Sequence, residues 1–375
     1  MRPKVNELYI ELVGGGGLGE AIILRLPDGR FGLIDCYSPI SLPVEKNLVI
    51  TRLNALGATG LQFVALTHPH QDHFLGMSQV LEKLSPKEFW LFAGATQAMM
   101  ERLPAYLTAE ALHAKGKNDS YAVTDLKKTL VWVNNNVGSG RVDLKYLTGF
   151  QQLLSYPVNV EGAEVEVVVQ SIAPMASVVR RYEQKLLTNY NSKAISTGEE
   201  LDHNDLSAAF LISYGQTRVL LGGDVTTDTW NAILASENNR LDLSNMAFVK
   251  ISHHGSTNGY CDGLWEVLSQ GRKPKGGLTP YTSQLPKRKA LEHVALYASE
   301  IAATRISAEN KAVRDLIKFP PGTPIDVSNA TRRIAKSATP MPRGSLSYTF
   351  DAAGNVSGPE LQGSACFIHQ AAHGD

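Results

Sequence analysis

Apolar and polar positions recur along this chain with two periods, and each period names an element. Leu8, Tyr9, Ile10, Glu11, Leu12 and Val13 read as a first strand. Residues 21–26 and 31–35 predict two more strands joined at Pro27-Asp28-Gly29-Arg30, whose Asp-Gly is a hairpin signal. Over residues 43–56 the period lengthens, and Val44, Leu48, Ile50, Leu53 and Leu56 make the apolar face of a helix. The unbroken run Phe63-Val64-Ala65-Leu66-Thr67 predicts a buried strand, residues 74–84 a helix and residues 88–92 another strand. From about residue 95 to 150 the pattern is helical and less regular. That interval is expected to be an insertion on the active-site side, where substrate choice is made. Strands restart at residues 164–169, and residues 208–214 with 217–221 predict a hairpin about Gly215-Gln216. Helices and strands then alternate to about residue 304; residues 305–343 give no assignment, and residues 344–350 predict a closing strand. The Gly, Ser and Ala of the last two dozen residues predict a tail. The expected organisation is one domain over residues 1–350 and a tail over 351–375, in a mixed α and β fold.

Chemistry concentrates where the buried strand ends, at His68-Pro69-His70-Gln71-Asp72-His73. Three imidazoles and a carboxylate in six residues form a nitrogen and oxygen ligand set suited to Zn²⁺ or Mn²⁺. His68 and His70 stand two apart, so an extended backbone points them the same way. Asp72 and His73 follow as the chain turns into a helix and can aim at a second ion about 3.5–4 Å from the first. The chain holds ten histidines in 375 residues, so such a cluster is not a product of composition. Two later strands end the same way: Leu220-Leu221-Gly222-Gly223-Asp224 in a carboxylate, and Phe248 to Ile251 in Ser252-His253-His254-Gly255-Ser256.

His68 to His73 matches the HxHxDH signature of the metallo-β-lactamase superfamily at every specified position, and the order HxHxDH, GD, HHGS also resembles that family. The resemblance implies an αββα sandwich of α/β class and two divalent metal ions, Zn²⁺ or Mn²⁺. Asp224 would bridge the ions and hold a water that ionises near neutral pH. His68 and His70 would bind one ion, and Asp72 and His73 the other. One of His253 and His254 would complete the first site while its neighbour contacts substrate; strand alternation leaves both assignments open.

One branch is especially similar, the hydrolase domain of bacterial competence DNA-uptake channel proteins and their free-standing relatives. Its opening strand, Gly-rich turn and hairpin are matched by residues 22–36, its Asn-x-x-Ser by Asn204 and Ser207, and its KxxHHGS by Lys250 to Ser256. The likeness covers roughly residues 8–285. The branch carries a further Gly-His-Pro ligand; here Ser283-Gln284-Leu285-Pro286 stands nearest, with Leu in place of His. The second ion would then be held weakly, be ligated from His293 or His203, or be missing. The implied function is a hydrolase using a metal-activated hydroxide on phosphodiesters, with nucleic acid or a small phosphodiester as substrate and Asp72, Asp224 and His254 in the chemistry. Two alternatives keep the same ligands: hydrolysis of a small ester, lactone or amide, and a metal-binding effector that acts only with a protein partner.

Composition narrows this reading. The formal charge is zero, which argues against wholesale electrostatic capture of duplex DNA. The basic runs at 271–275 and 286–289 read as solvated surface. No apolar run approaches the roughly 18 residues of a membrane span, and the N-terminus lacks a signal-peptide pattern. Three scattered cysteines, Cys36, Cys261 and Cys366, argue against a disulfide framework and for a cytoplasmic protein. Gly14 to Gly19 can be written GxGxxG, but a strand-like run follows where a dinucleotide site needs a helix, so a turn is expected. Lys250 is expected in a structural salt bridge. His113, His293, His369 and His373 are read as surface or satisfied core residues.

Overall fold

In a computed structural model, residues 4–15, 18–39, 41–92, 119–191, 201–236, 241–281, 284–307, 309–318 and 344–368 are described. The period-two segments become strands. Leu8–Gly15 (β1), Leu18–Arg25 (β2), Phe31–Ile34 (β3), Leu61–Leu66 (β4), Pro86–Phe92 (β5) and Asp143–Leu147 (β6) belong to one sheet. Gln151–Val160 (β7), Ala163–Ala173 (β8), Ala209–Tyr214 (β9), Thr217–Leu221 (β10), Phe248–Lys250 (β11), Lys275–Leu278 (β12), Glu300–Ala303 (β13) and Ile317–Lys318 (β14) belong to the other. Gly344–Phe350 (β15) and Val356–Gln362 (β16) extend the first sheet, and Cys366–Ile368 (β17) sits in the second between β13 and β14. Both sheets are mixed: β3 to β6 run parallel in the first, and β10 to β13 in the second.

Alternation along each strand builds three apolar layers. Ile10, Ile22, Leu24, Phe63 and Trp90 of the first sheet face Phe210, Ile212, Val219 and Phe248 of the second. Phe63 stacks on Trp90 with ring centroids 3.8 Å apart, and burying a ring like that of Phe63 contributes about 1.5–3 kcal/mol. Val13, Ile23, Val64 and Leu66 point outward against four helices: Leu48–Leu56 (α1), Met77–Lys83 (α3), Asp119–Gly138 (α4) and Ala176–Asn191 (α5). A short helix, Gln71–Phe74 (α2), precedes α3. Thr227–Leu234 (α6), Asp262–Leu268 (α7) and Arg288–Tyr297 (α8) cover the second sheet through Trp230, Trp265 and Leu291. The result is an αββα sandwich of α/β class. Among the described residues no helix is long and apolar enough to cross a membrane.

Several expectations shift. The helix expected over 43–56 splits, because the Asn47 side chain caps α1 by accepting from the N–H groups of Val49 and Ile50. The one expected over 74–84 begins only after Gly76, whose N–H donates to Asp125 of α4. Of the interval 95–150, residues 95–118 lie outside the described residues; the remainder supplies α4 and the edge strand β6. The expected tail is corrected: its described part forms β16 and β17, one strand in each sheet, because Cys366 and Ile368 are apolar enough to be buried there. Residues 319–343 and 369–375 lie outside the described residues, with His369 and His373 among them, as does His113.

The parallel strands matter most for function. β3 and β4 of one sheet, and β10, β11 and β12 of the other, deliver their following loops to one rim of the sandwich.

Candidate metal centre

β4 ends at Leu66, and the next residues are held from β3. Asp35, buried and with φ of 57°, accepts from the Thr67 N–H at 2.8 Å and the Thr67 hydroxyl at 2.7 Å. The Thr67 oxygen lies 2.9 Å from His68 Nδ1. With its own proton given to Asp35, the hydroxyl accepts from that nitrogen, which leaves the His68 Nε2 lone pair facing His70 Nδ1 at 3.0 Å. Two nitrogens bound tetrahedrally to zinc lie roughly 3.3 Å apart, so this spacing suits an ion between them.

His73 follows the same logic. Its Nδ1 lies 2.7 Å from Asp35 Oδ2, so Nε2 points inward, 3.5 Å from Asp72 and 3.4 Å from Asp224. The His254 Nδ1 donates to the Thr279 carbonyl at 2.6 Å, and its Nε2 lies 3.1 Å from both Asp72 Oδ2 and Asp224 Oδ2. Ligand atoms of Asp72, His73, Asp224 and His254 all fall within 4.8 Å of one another, and all four residues are buried. An imidazole whose far nitrogen is tied to a carboxylate or carbonyl is fixed in the tautomer that binds metal.

The donor set fits a divalent cation on a further count. His73 Nε2 and Asp224 Oδ1 are buried without a hydrogen-bond partner, a costly state unless a charge meets them. Burial and then the neighbouring imidazoles push His68 and His70 down, His70 to about 4, so both present lone pairs at neutral pH. Burial alone would raise Asp72 and Asp224, but the imidazoles of His73 and His254 outweigh it and hold both carboxyls well below their usual range. Conversely, burial opposes charge on His73 and His254, yet the carboxylates win and raise both, His254 to about 10. This rim therefore draws positive charge, as protons or as metal ions.

Behind the carboxylates lies a second buried layer. Lys250 Nζ is 2.7 Å from Glu20 Oε2 on β2, donates to the Gly223 carbonyl at 2.9 Å and stands 3.7 Å from Asp224 Oδ1. The Thr279 hydroxyl donates to the same Glu20 oxygen. Asp224 itself is fixed by its N–H, which donates to Ser207 Oγ at 2.8 Å. Gly223 before it has φ of 52°, and a Cβ there would overlap the Ala208 carbonyl. Within the matched Asn-x-x-Ser, then, Ser207 holds the Asp224 backbone.

The histidine pair resolves into unequal parts. Both residues adopt left-handed backbone, His253 at φ 48° and His254 at φ 52°, which turns consecutive side chains apart; their ring centroids are 6.3 Å distant. His254 joins the buried group and His253 does not. The expected pairing is also corrected: His254 meets Asp72 and His73 rather than completing the pair of His68 and His70. His203 stands beside that pair, its ring 5.3 Å from His70 and its Nδ1 2.7 Å from the Tyr182 hydroxyl. His293 lies elsewhere, against Tyr260 and 3.8 Å from Asp262. Pro286, after Leu285, packs on Gly255.

Sequence reading passed over Asp35, Thr67, Glu20 and Thr279. A carboxylate ending the apolar strand β3 was the available signal for Asp35. Thr279 acts on His254 through its carbonyl, which no residue type reveals.

No protein-family model matches the chain, and no curated protein matches it. Solved structures are similar in layout. The Zn²⁺-bound PqqB of Methylobacterium extorquens is 12% identical with a TM-score of 0.31, over 63% of this chain and 60% of that one. A long form of RNase Z from yeast is 9% identical with a TM-score of 0.34, over 72% of this chain and 36% of that one. Tm1679, a metal-dependent hydrolase of the β-lactamase superfamily, is 11% identical with a TM-score of 0.34, over 78% and 94%. The chain spans less than two thirds of PqqB and of RNase Z. These likenesses concern the fold.

Proposed function

We propose that the chain is a metal-dependent hydrolase of the metallo-β-lactamase superfamily that cleaves phosphodiesters, with nucleic acid as the substrate class. The observation that carries this reading is the convergence of Asp72, His73, Asp224 and His254, beside His68 and His70, on one buried point. His68, His70 and Asp224 would hold one ion, and Asp72, His73, Asp224 and His254 the other. When bound, divalent ions supply a water that ionises near neutral pH and a Lewis acid for the developing charge.

The protein's own groups set the rest. Asp35 and the Thr279 carbonyl orient two imidazoles, and Lys250 and Ser207 keep Asp224 aimed. An Asp72 oxygen can accept a hydrogen bond from the attacking water and orient it. The motif set of the competence-channel branch points to the phosphodiester class over carbonyl esters.

The test compares bis-nitrophenyl phosphate with a lactone and nitrocefin, each in Mn²⁺ and in Zn²⁺, alongside metal analysis of the purified protein. Turnover of the phosphodiester with bound metal is expected. Turnover confined to the carbonyl substrates would overturn the substrate class, and a metal-free protein in saturating ion would overturn the whole reading.

A further inference from the structure

Glu20 is a carboxylate that the reading above leaves unused. It follows the Gly14 to Gly19 run and opens the row of β2 positions, with Ile22 and Leu24, that faces the second sheet. In that apolar row it is fully buried, as is Lys250 of β11, which meets it from the other sheet. Glu20 Oε1 has no hydrogen-bond partner, so the pair is imperfectly satisfied. A buried ion pair of this kind rarely adds stability over apolar residues of the same size. Its place at the rim that carries the ligands has another reason.

That reason is where the ammonium is held. Lys250 Nζ is 2.7 Å from Glu20 Oε2 and donates to the Gly223 carbonyl at 2.9 Å. Asp224 Oδ1 is 3.7 Å from the same nitrogen, just beyond hydrogen-bond range, and is buried without a hydrogen-bond partner. A carboxylate that serves two ions gives one oxygen to each. Asp224 Oδ2 already lies 3.1 Å from His254 Nε2 and 3.4 Å from His73 Nε2, which leaves Oδ1 for the other ion. An ammonium with no other anion in reach would close the gap and take that oxygen as its own ion pair. Glu20 is the anion that prevents this. It is fixed in turn by Thr279, whose hydroxyl donates to Oε2 while its carbonyl accepts from His254 Nδ1.

We infer that Glu20 is a positioning residue: it holds the Lys250 ammonium short of Asp224, so that Asp224 Oδ1 stays open to a metal ion. Lys250 steadies Asp224 from a distance set in the opposite sheet, and competes for it once that anchor is lost. The inference rests on the metal centre proposed above and is independent of the substrate class.

Competition for Zn²⁺ against a chromophoric chelator tests it, with the melting temperature read on each variant. Glu20→Gln keeps the shape and removes the charge; its Zn²⁺ affinity should fall about 10- to 100-fold, the range for outer partners of metal ligands. Adding Lys250→Met removes the competing ammonium, and most of the lost affinity should return. A second core substitution does not repair lost packing, so this recovery separates positioning from a merely structural role. Glu20→Gln that binds Zn²⁺ as tightly as wild type overturns the inference, and so does a double variant no better than the single one. A crystal structure of the Zn²⁺-loaded wild type decides the point without any variant. Oδ1 of Asp224 on the ion, with Lys250 still on Glu20, is expected; Oδ1 on Lys250 would overturn the inference. Wild-type protein that binds no Zn²⁺ overturns the metal centre itself, whereas the other adverse results leave that centre standing and remove the role of Glu20 alone.

Discussion

Asp35 accepts two hydrogen bonds from Thr67 and one from His73, so a single buried carboxylate orders two of the three neighbouring imidazoles. Asp35→Asn keeps the shape but replaces one acceptor oxygen by a donor. Outer partners of metal-binding histidines are worth about 10- to 100-fold in affinity, and chelator competition on that variant should show a loss of this size. Asp224→Asn should lower metal content and hydrolytic rate together; metal analysis beside the rate assay reads both, and unchanged activity would remove the mechanism. At this scale the sequence was legible where spacing is local. His68 to His73 could be read at once because strand and turn fix their directions within six residues. His253 and His254 could not be separated, because left-handed backbone at two successive non-glycine residues cancels the alternation on which such reading depends.

Among elements, the loop after β10 carries the tightest constraint. Gly223 combines a positive φ with close approach to the Ala208 carbonyl, and Ser207 completes the turn through the Asp224 N–H. Gly223→Ala should destabilise the fold by at least about 1–3 kcal/mol from the backbone conformation alone; a midpoint in urea indistinguishable from wild type would contradict this. The strands bordering the centre were legible as short unbroken apolar runs, because each buries one face inside the sandwich and the other under helices. Less legible were the ends. The Asn47 cap divides a continuous apolar period; β16 carries Gly358 and Pro359 and little apolar alternation, and β17 is only three residues long, so neither stands out from a tail.

Across the whole molecule, the Glu20–Lys250 pair joins β2 of one sheet to β11 of the other at the rim that carries the ligands. Lys250→Met leaves a buried carboxylate unpaired, which costs about 3–5 kcal/mol, so its melting temperature should fall well below that of a surface Lys→Met control. The protonation of this rim gives a further expectation. His73 and His254 are both raised, His254 to about 10; protons therefore compete with metal throughout the neutral range, and affinity should climb as pH rises. Calorimetry in buffers of different ionisation enthalpy should detect proton release on loading at pH 7; heats independent of buffer would show that these imidazoles were already neutral.

His254 meets Asp72 across 182 positions of chain, and the two belong to opposite halves of the sandwich. An isolated N-terminal fragment owns every donor from His68 to His73 yet has neither Asp224 nor His254 to set against them. Capture of the ion thus becomes a report that both halves have docked, and during synthesis the polypeptide lacks its full ligand set until His254 has emerged.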